Sequence, residues 1–212
     1  DLDFFTGDVS GTVSYYENIG PSNGSPVYEL ISSFWEEILI VGPSRHGASA
    51  ISFIDLDSDG DFDLAWGDYF QRSLYIIWNI GTPEEPDMDN EGFMYQYPEN
   101  DPIYTSGQNM PSFADIDGDN DMDLFITVLG GDGPIQLSEN FLMYENVGSL
   151  SSPEYSLESE NFLGSLDLFS DIVPEFIDID NDGDMDMFIG QDYTTETNPT
   201  MGRIYYFRNE GL

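Results

Sequence analysis

The chain has 212 residues, enough for one domain with a substantial core or for two small ones, and its 40% hydrophobic and 15% aromatic content is too high for a disordered acidic tail. Forty-two Asp and Glu stand against four arginines (Arg45, Arg72, Arg203, Arg208) and no lysine, a net charge of −38 that repels nucleic acid and anionic membrane and makes cations the natural partners. There is no cysteine, hence no disulfide framework or thiolate metal site, and apolar runs such as residues 38–41 are far too short for membrane insertion.

In chain order, the first feature is a short acidic-to-aromatic segment, Asp1-Leu-Asp3-Phe4-Phe5. An aromatic strand containing Tyr15 and Tyr16 follows, ending at Asn18-Ile-Gly20, and a further strand comes after a Pro-containing turn at Pro26. Residues 34–40 carry the best, though weak, helical pattern. Then comes Asp55-Leu-Asp-Ser-Asp-Gly-Asp-Phe-Asp63, preceded by Phe53-Ile54 and followed by Leu64-Ala-Trp66. The same loop recurs as Asp115-Ile-Asp-Gly-Asp-Asn-Asp-Met-Asp123 and as Asp178-Ile-Asp-Asn-Asp-Gly-Asp-Met-Asp186, at offsets of 60 and 63 residues. A second landmark keeps the same beat: Asn18-Ile-Gly20, Asn79-Ile-Gly81, Asn146-Val-Gly148 and Asn209-Glu-Gly211 each close an aromatic-rich stretch. Asp1 to Phe5 aligns with Asp61 to Ala65, so the chain opens at the seventh position of the motif, and residue 1 reads as a boundary rather than a natural domain start.

Within one period the pattern is of short strands separated by turn residues. One strand enters the acidic loop, a second leaves it, a third ends at Asn-x-Gly and a fourth follows a Pro-containing turn. The expected fold class is all-β: β-propeller blades, four-stranded antiparallel repeats of about 60 residues. Strand counts of three, four, four and three predict two complete and two incomplete blades. They divide a single partial propeller, 1–212, into 1–48 (incomplete), 49–108, 109–171 and 172–212 (incomplete).

The acidic loops have the spacing of a cation site. Carboxylates at positions 1, 3 and 5 of a tight loop converge on one point, and a residue tolerant of positive φ at position 6 lets the chain fold round the ion. Those positions hold Asp55, Asp57 and Asp59; Asp115, Asp117 and Asp119; and Asp178, Asp180 and Asp182, with Gly60, Asn120 and Gly183 at position 6. Position 7 (Asp61, Asp121, Asp184) is expected to contribute its backbone carbonyl. An EF-hand would need a bidentate Glu at position 12, where Trp66, Ile126 and Ile189 stand instead, so Asp63, Asp123 and Asp186 at position 9 are expected to finish the shell. Oxygen donors without His or Cys favour Ca2+, about one ion per complete loop and three in all. As bare acidic turns, these loops would repel themselves, like charges about 4 Å apart costing about 1 kcal/mol even in bulk water.

The pattern aromatic-Ile/Ala-Asp-x-Asp-x-Asp-Gly-Asp-x-Asp-Leu-Phe-Ile-Gly, followed by Tyr-Glu-Asn-x-Gly, resembles the FG-GAP/VCBS repeat family across essentially the whole chain. The resemblance implies a propeller like the integrin α-subunit head, with a calcium in the loop joining two strands of a blade. It implies a bacterial protein, secreted or displayed at the cell surface, with a role in adhesion or protein binding. It implies equally, as the alternative, the propeller scaffold of a secreted polysaccharide-active enzyme, lyase-like, with its catalytic residues elsewhere. The chain departs from the pattern at Asn120, and its first loop is cut.

No catalytic apparatus is legible. His46 is the sole histidine, Ser44-Arg45-His46 is not a nucleophile elbow, and no Gly-rich phosphate loop occurs. Among 42 acids some carboxylate pair will always lie at a glycosidase spacing, which empties that signal. Tyr15, Tyr16, Trp66, Trp78, Tyr144, Tyr205 and Tyr206 recur in strands and are expected in the core or between blades rather than on a sugar. Asn23-Gly-Ser25 is the single glycosylation triplet. The long connections 83–102, 130–140 and 191–202 are candidate partner surfaces. The function expected is a non-catalytic extracellular calcium-binding repeat module for adhesion, protein–protein contact or self-assembly into a surface filament. Its partner would be a protein or glycan ligand at a cell surface, or other copies of itself.

Overall fold

The computed structural model describes residues 2–40, 49–68, 71–128, 140–162, 164, 172–191 and 202–211. Asp1, Ser44, Arg45, His46 and most of the connections 130–140 and 191–202 lie outside them. The described residues form an all-β protein of thirteen strands: β1 (Phe4–Gly7), β2 (Val13–Ser22), β3 (Ser25–Ser32), β4 (Ser49–Ile54), β5 (Asp63–Asp68), β6 (Tyr75–Ile77), β7 (Asn109–Ala114), β8 (Asp123–Val128), β9 (Phe141–Asn146), β10 (Tyr155–Ser159), β11 (Ile172–Ile177), β12 (Asp186–Gln191) and β13 (Arg203–Phe207). They make four antiparallel sheets in chain order, β1-β2-β3, β4-β5-β6, β7-β8-β9-β10 and β11-β12-β13.

The sheets stack face to face, and the two-residue period of a strand decides which side chain fills which gap. In β5, Leu64 and Trp66 join Val13, Ile38, Ile40, Tyr75 and Ile77 in the core between the first and second sheets. Ala65, between them, points the other way, into a core with Leu74, Ile76, Leu124, Ile126 and Tyr144. In β8 the alternation repeats, with Leu124 and Ile126 facing back and Phe125 facing forward onto Phe141, Met143, Ile172 and Ile189. Every residue of β5 and β8 is therefore buried, whereas β3 in the first sheet is exposed along most of its length.

The weakly helical stretch 34–40 holds only a three-residue 3-10 turn, Trp35–Glu37, in which Glu36 and Glu37 take φ of 50° and 53°. Its apolar residues are spent at a two-residue period instead. Ile38 and Ile40 are fully buried in the first core, and the Ile40 N–H donates to the Gly11 carbonyl at 2.8 Å.

The second sheet has three strands where four were expected. After β6 the described chain packs on the sheet but pairs only at the isolated bridges Asn79↔Met88 and Ile76↔Met94. Residues 79–103 contain Pro83, Pro86, Pro98 and Pro102 among many Asp, Glu and Asn. Proline supplies no ladder N–H, and acidic and amide residues pack poorly on a pleat. In the third sheet Tyr155 to Ser159 has a single proline before it and forms β10 with a bulge between Leu157 and Ser159.

Trp66 and Tyr144 lie in the cores as expected, but Tyr206 does not, being 47% exposed. Truncating a residue gripped between two sheets is expected to be costly. Ile126→Ala should lower stability by about 2–5 kcal/mol, and Leu30→Ala on the half-exposed β3 by about 0.5 kcal/mol or less, both read by urea denaturation.

Candidate metal centres

Each acidic loop is the tip of a hairpin. The last cross-strand pairs below it are Ile54↔Asp63, Ala114↔Asp123 and Ile177↔Asp186, so the first eight residues of every motif project beyond the final rung. The carboxylates at positions 1, 3 and 5 converge there. One ligand oxygen from each of Asp55, Asp57 and Asp59 lies within 4.8 Å of the others, and the same is true of Asp115, Asp117 and Asp119 and of Asp178, Asp180 and Asp182.

The chain's own N–H groups shape the turn. Asp55 accepts from the N–H groups of Asp59 and Gly60 at 3.1 and 3.2 Å, and Asp59 accepts from that of Asp61 at 3.1 Å. The third loop repeats the three bonds through Asp178 and Asp182. In the second, Asn120 takes the place of glycine, its N–H donating to Asp115 at 2.9 Å. Position 6 is left-handed in all three loops, with φ of 99° at Gly60, 76° at Asn120 and 98° at Gly183. Position 4 is left-handed as well, at Ser58, Gly118 and Asn181. The sequence reading overlooked that second turn, although a small or amide residue at position 4 of every loop was its visible trace.

In the first two loops position 7 is drawn in by its side chain, while Asp184 in the third is only half-buried. Asp61 and Asp121 are buried, 5% and 8% exposed, and the Asp61 Oδ1 has no hydrogen-bond partner. Loss of water, and then the charges of Asp59, Asp57 and Asp55, push the Asp61 carboxyl above the usual carboxylate range; Asp121 is raised by the same causes in its own loop. A buried carboxylate oxygen without a hydrogen-bond partner, in a carboxyl that feels the charges of three neighbouring carboxylates, would be satisfied by a cation, so the donor set fits a metal ion.

Position 9 braces the repeat. Asp63 accepts from the Leu56 N–H at 3.1 Å and, through its other oxygen, from the Asn79 N–H at 2.9 Å. Asp123 does the same with Ile116 and Asn146. Asp186 accepts from the Asn209 N–H at 2.8 Å and the Tyr206 hydroxyl at 3.1 Å. Burial raises Asp63 to about 7 and Asp123 to about 6, against the pull of these same N–H groups. A raised carboxyl favours the folded state below its unfolded value near 4 and loses that contribution as pH climbs through the folded value, so at neutral pH these two groups oppose folding unless a nearby cation draws them down. Each oxygen keeps a lone pair beyond its N–H partner, and bracing is compatible with ligation.

The braces explain why the two sequence landmarks keep one beat. The asparagine that position 9 captures is the first residue of Asn-x-Gly, and its side-chain oxygen in turn accepts from the glycine N–H, at 3.1 Å in Gly81 and 3.0 Å in Gly148. The same Asn146 oxygen accepts from Glu154 at 3.1 Å, closing the turn into β10. A Cβ on Gly148 would lie 2.4 Å from the Ser152 carbonyl oxygen, which is why glycine stands there.

The third loop differs in one respect. The Arg208 guanidinium lies 2.6 Å from Asp180 and 3.6 Å from Asp182, a built-in cation on the triplet. The corresponding residues before Asn18, Asn79 and Asn146 are Glu17, Trp78 and Glu145.

No family model, curated protein or solved structure matches this chain.

Two outcomes follow from these contacts. Asn146→Ala leaves the Gly148 and Glu154 N–H groups unpaired and should cost about 1–3 kcal/mol in urea denaturation. Arg208→Ala removes a competing cation and should tighten divalent-metal binding at the third loop by about two- to fivefold in calorimetric titration, the range of an exposed ion pair.

Proposed function

We propose that this chain is a non-catalytic, calcium-stabilised repeat module of the FG-GAP/VCBS kind, its four sheets being blades of a β-propeller segment that works outside the cell as a contact surface for another protein or a glycan. The observation that carries the reading is the buried Asp61 oxygen that lacks a hydrogen-bond partner beside a converging acidic triplet whose charges it feels. The three triplets stand at corresponding hairpin tips, each with its position-6 residue left-handed.

The donors are all hard oxygens, available in numbers that suit the six to eight ligands of Ca2+ better than Mg2+, which keeps more of its water. Asp55, Asp57 and Asp59 would hold the ion in the first loop, with Asp61 supplying a side-chain oxygen and Asp63 bracing or completing the shell. The same positions serve in the second and third loops. Bound calcium would remove a repulsion that the loop cannot relieve by itself, so the metal's role is structural. Three ions leave a charge of about −32, which suits salty, divalent-rich surroundings. Extracellular calcium modules bind at about 10⁻⁴–10⁻³ M, a range filled outside a cell and empty inside it.

Thermal unfolding in chelator, in millimolar calcium and in millimolar magnesium tests the reading. Calcium should raise the midpoint, with calorimetry counting three ions, and magnesium should act weakly; at about one- to tenfold over its Kd, each ion adds about 0.4–1.4 kcal/mol. Gly60→Ala, which forces a Cβ into a left-handed position, should cost about 1–2 kcal/mol and weaken one site of the three. A melting curve indifferent to calcium would falsify the proposal.

A further inference from the structure

Two of the candidate metal loops are joined by an unbroken run of hydrogen bonds. It starts at Ser58, between Asp57 and Asp59 in the first loop, whose hydroxyl donates to the Leu150 carbonyl at 2.9 Å. The two residues are 92 apart in the chain, and their bond crosses from the hairpin tip of the second sheet to the turn between β9 and β10 of the third. Ser58 is the left-handed residue at position 4, with φ of 60°.

Leu150 lies at the tip of a tight hairpin. The Ser149 and Ser152 N–H groups each donate to the other's carbonyl, at 3.2 and 2.9 Å, and the Val147 N–H donates to the Glu154 carbonyl at 2.8 Å. The Asn146 side chain closes the base through the Gly148 and Glu154 N–H groups. One oxygen of Asp123 holds the Asn146 backbone N–H at 2.9 Å, and the other holds the Ile116 N–H at 3.2 Å. Ile116 stands between Asp115 and Asp117 of the second loop. The run therefore begins between two candidate ligands of one loop and ends between two of the next.

We infer that the first and second loops bind their cations cooperatively, the Ser58–Leu150 bond and the hairpin 147–154 carrying the coupling. This rests on the calcium reading of the loops, for which the buried Asp61 oxygen without a hydrogen-bond partner is a separate support. Each loop has two states. Without a cation the carboxylates at positions 1, 3 and 5 repel one another and the turn loosens; with one they are drawn together, and the residues between them are fixed. Fixing Ser58 holds the Leu150 carbonyl, and through the hairpin it holds Asp123 and Ile116. The second loop then has less freedom to lose when its own cation binds, which is positive cooperativity. Linkage makes the effect reciprocal. Because the connecting bond lies at the surface, the coupling should be about two- to fivefold in affinity, the lower part of the range for one hydrogen bond.

The second and third loops lack this connection. Position 4 of the second loop is Gly118, which has no side chain with which to reach the Asn209 turn of the fourth sheet. The third loop should therefore fill independently, with Arg208 beside Asp180 setting its affinity apart.

Calcium titration followed by amide NMR, with Gly60, Gly118 and Gly183 reporting the three loops separately, is the test. Asp55→Asn with Asp59→Asn, which silences the first loop, should weaken the second about two- to fivefold and leave the third unchanged. Silencing the second with Asp115→Asn and Asp119→Asn should weaken the first by the same factor, an equality that a merely local disturbance would not produce. Ser58→Gly removes the hydroxyl and keeps every carboxylate of the first loop, so in its background neither silencing should touch the other loop. At saturating calcium, Ser58→Gly should also speed hydrogen exchange at the Val147 and Ser152 N–H groups. Loops that fill without regard to one another, or a coupling that survives Ser58→Gly, overturn the inference and leave the calcium reading standing. Three glycine amides that do not respond to calcium overturn both.

Discussion

A single hydrogen bond recurs in every repeat and organises the rest: the ninth-position aspartate accepts from the backbone N–H of the asparagine that opens the Asn-x-Gly turn. The distances are 2.8 Å for Asp3 and Asn18, 2.9 Å for Asp63 and Asn79, 2.9 Å for Asp123 and Asn146, and 2.8 Å for Asp186 and Asn209. The bond ties the acidic hairpin tip to the turn two strands away. Because that asparagine's own side chain then closes the Asn-x-Gly turn, one carboxylate sets both ends of the repeat. A charge-assisted bond in a water-poor setting is stronger than its surface counterpart, and breaking it strands the partner.

The same carboxylates create the tension that a cation would resolve. Asp63 and Asp123 are held in the sheets by N–H donors, while burial and neighbouring acids press them toward protonation. Asp61 and Asp121 have the pressure with less of the support. Packing and electrostatics thus oppose each other at each hairpin tip, with apolar side chains gripping the strands immediately below an acidic cluster. In the third loop Arg208 already supplies positive charge, so the three tips need not respond alike to added metal.

The stacking of sheets follows from a strand period of two meeting repeats that are apolar on both faces. Inner strands such as β5 and β8 are buried throughout because each parity of side chain has a sheet to face. The first and last sheets carry the same parity and the same residue types without a second neighbour among the described residues. Their aromatics, Phe4, Tyr28 and Tyr206, therefore remain half-exposed.

The three acidic loops, their spacing and the all-β class were determined by sequence alone, because a nine-residue motif repeated at a near-constant offset cannot arise from independent turns. Position 6 was legible too, since Gly60, Asn120 and Gly183 are the residue types that tolerate positive φ. What tertiary structure decided lay in contacts between distant residues. The aspartate-to-asparagine bond joins residues 15 to 23 apart, which no local pattern displays. The burial of Asp61, the ion pair of Arg208 with Asp180 and the exposure of Tyr206 each depend on which sheet lies next door. The missing fourth strand of the second sheet was masked for a related reason. Its prolines and acids were visible, but whether a segment joins a sheet is settled by the edge it must pair with and the N–H groups it can offer.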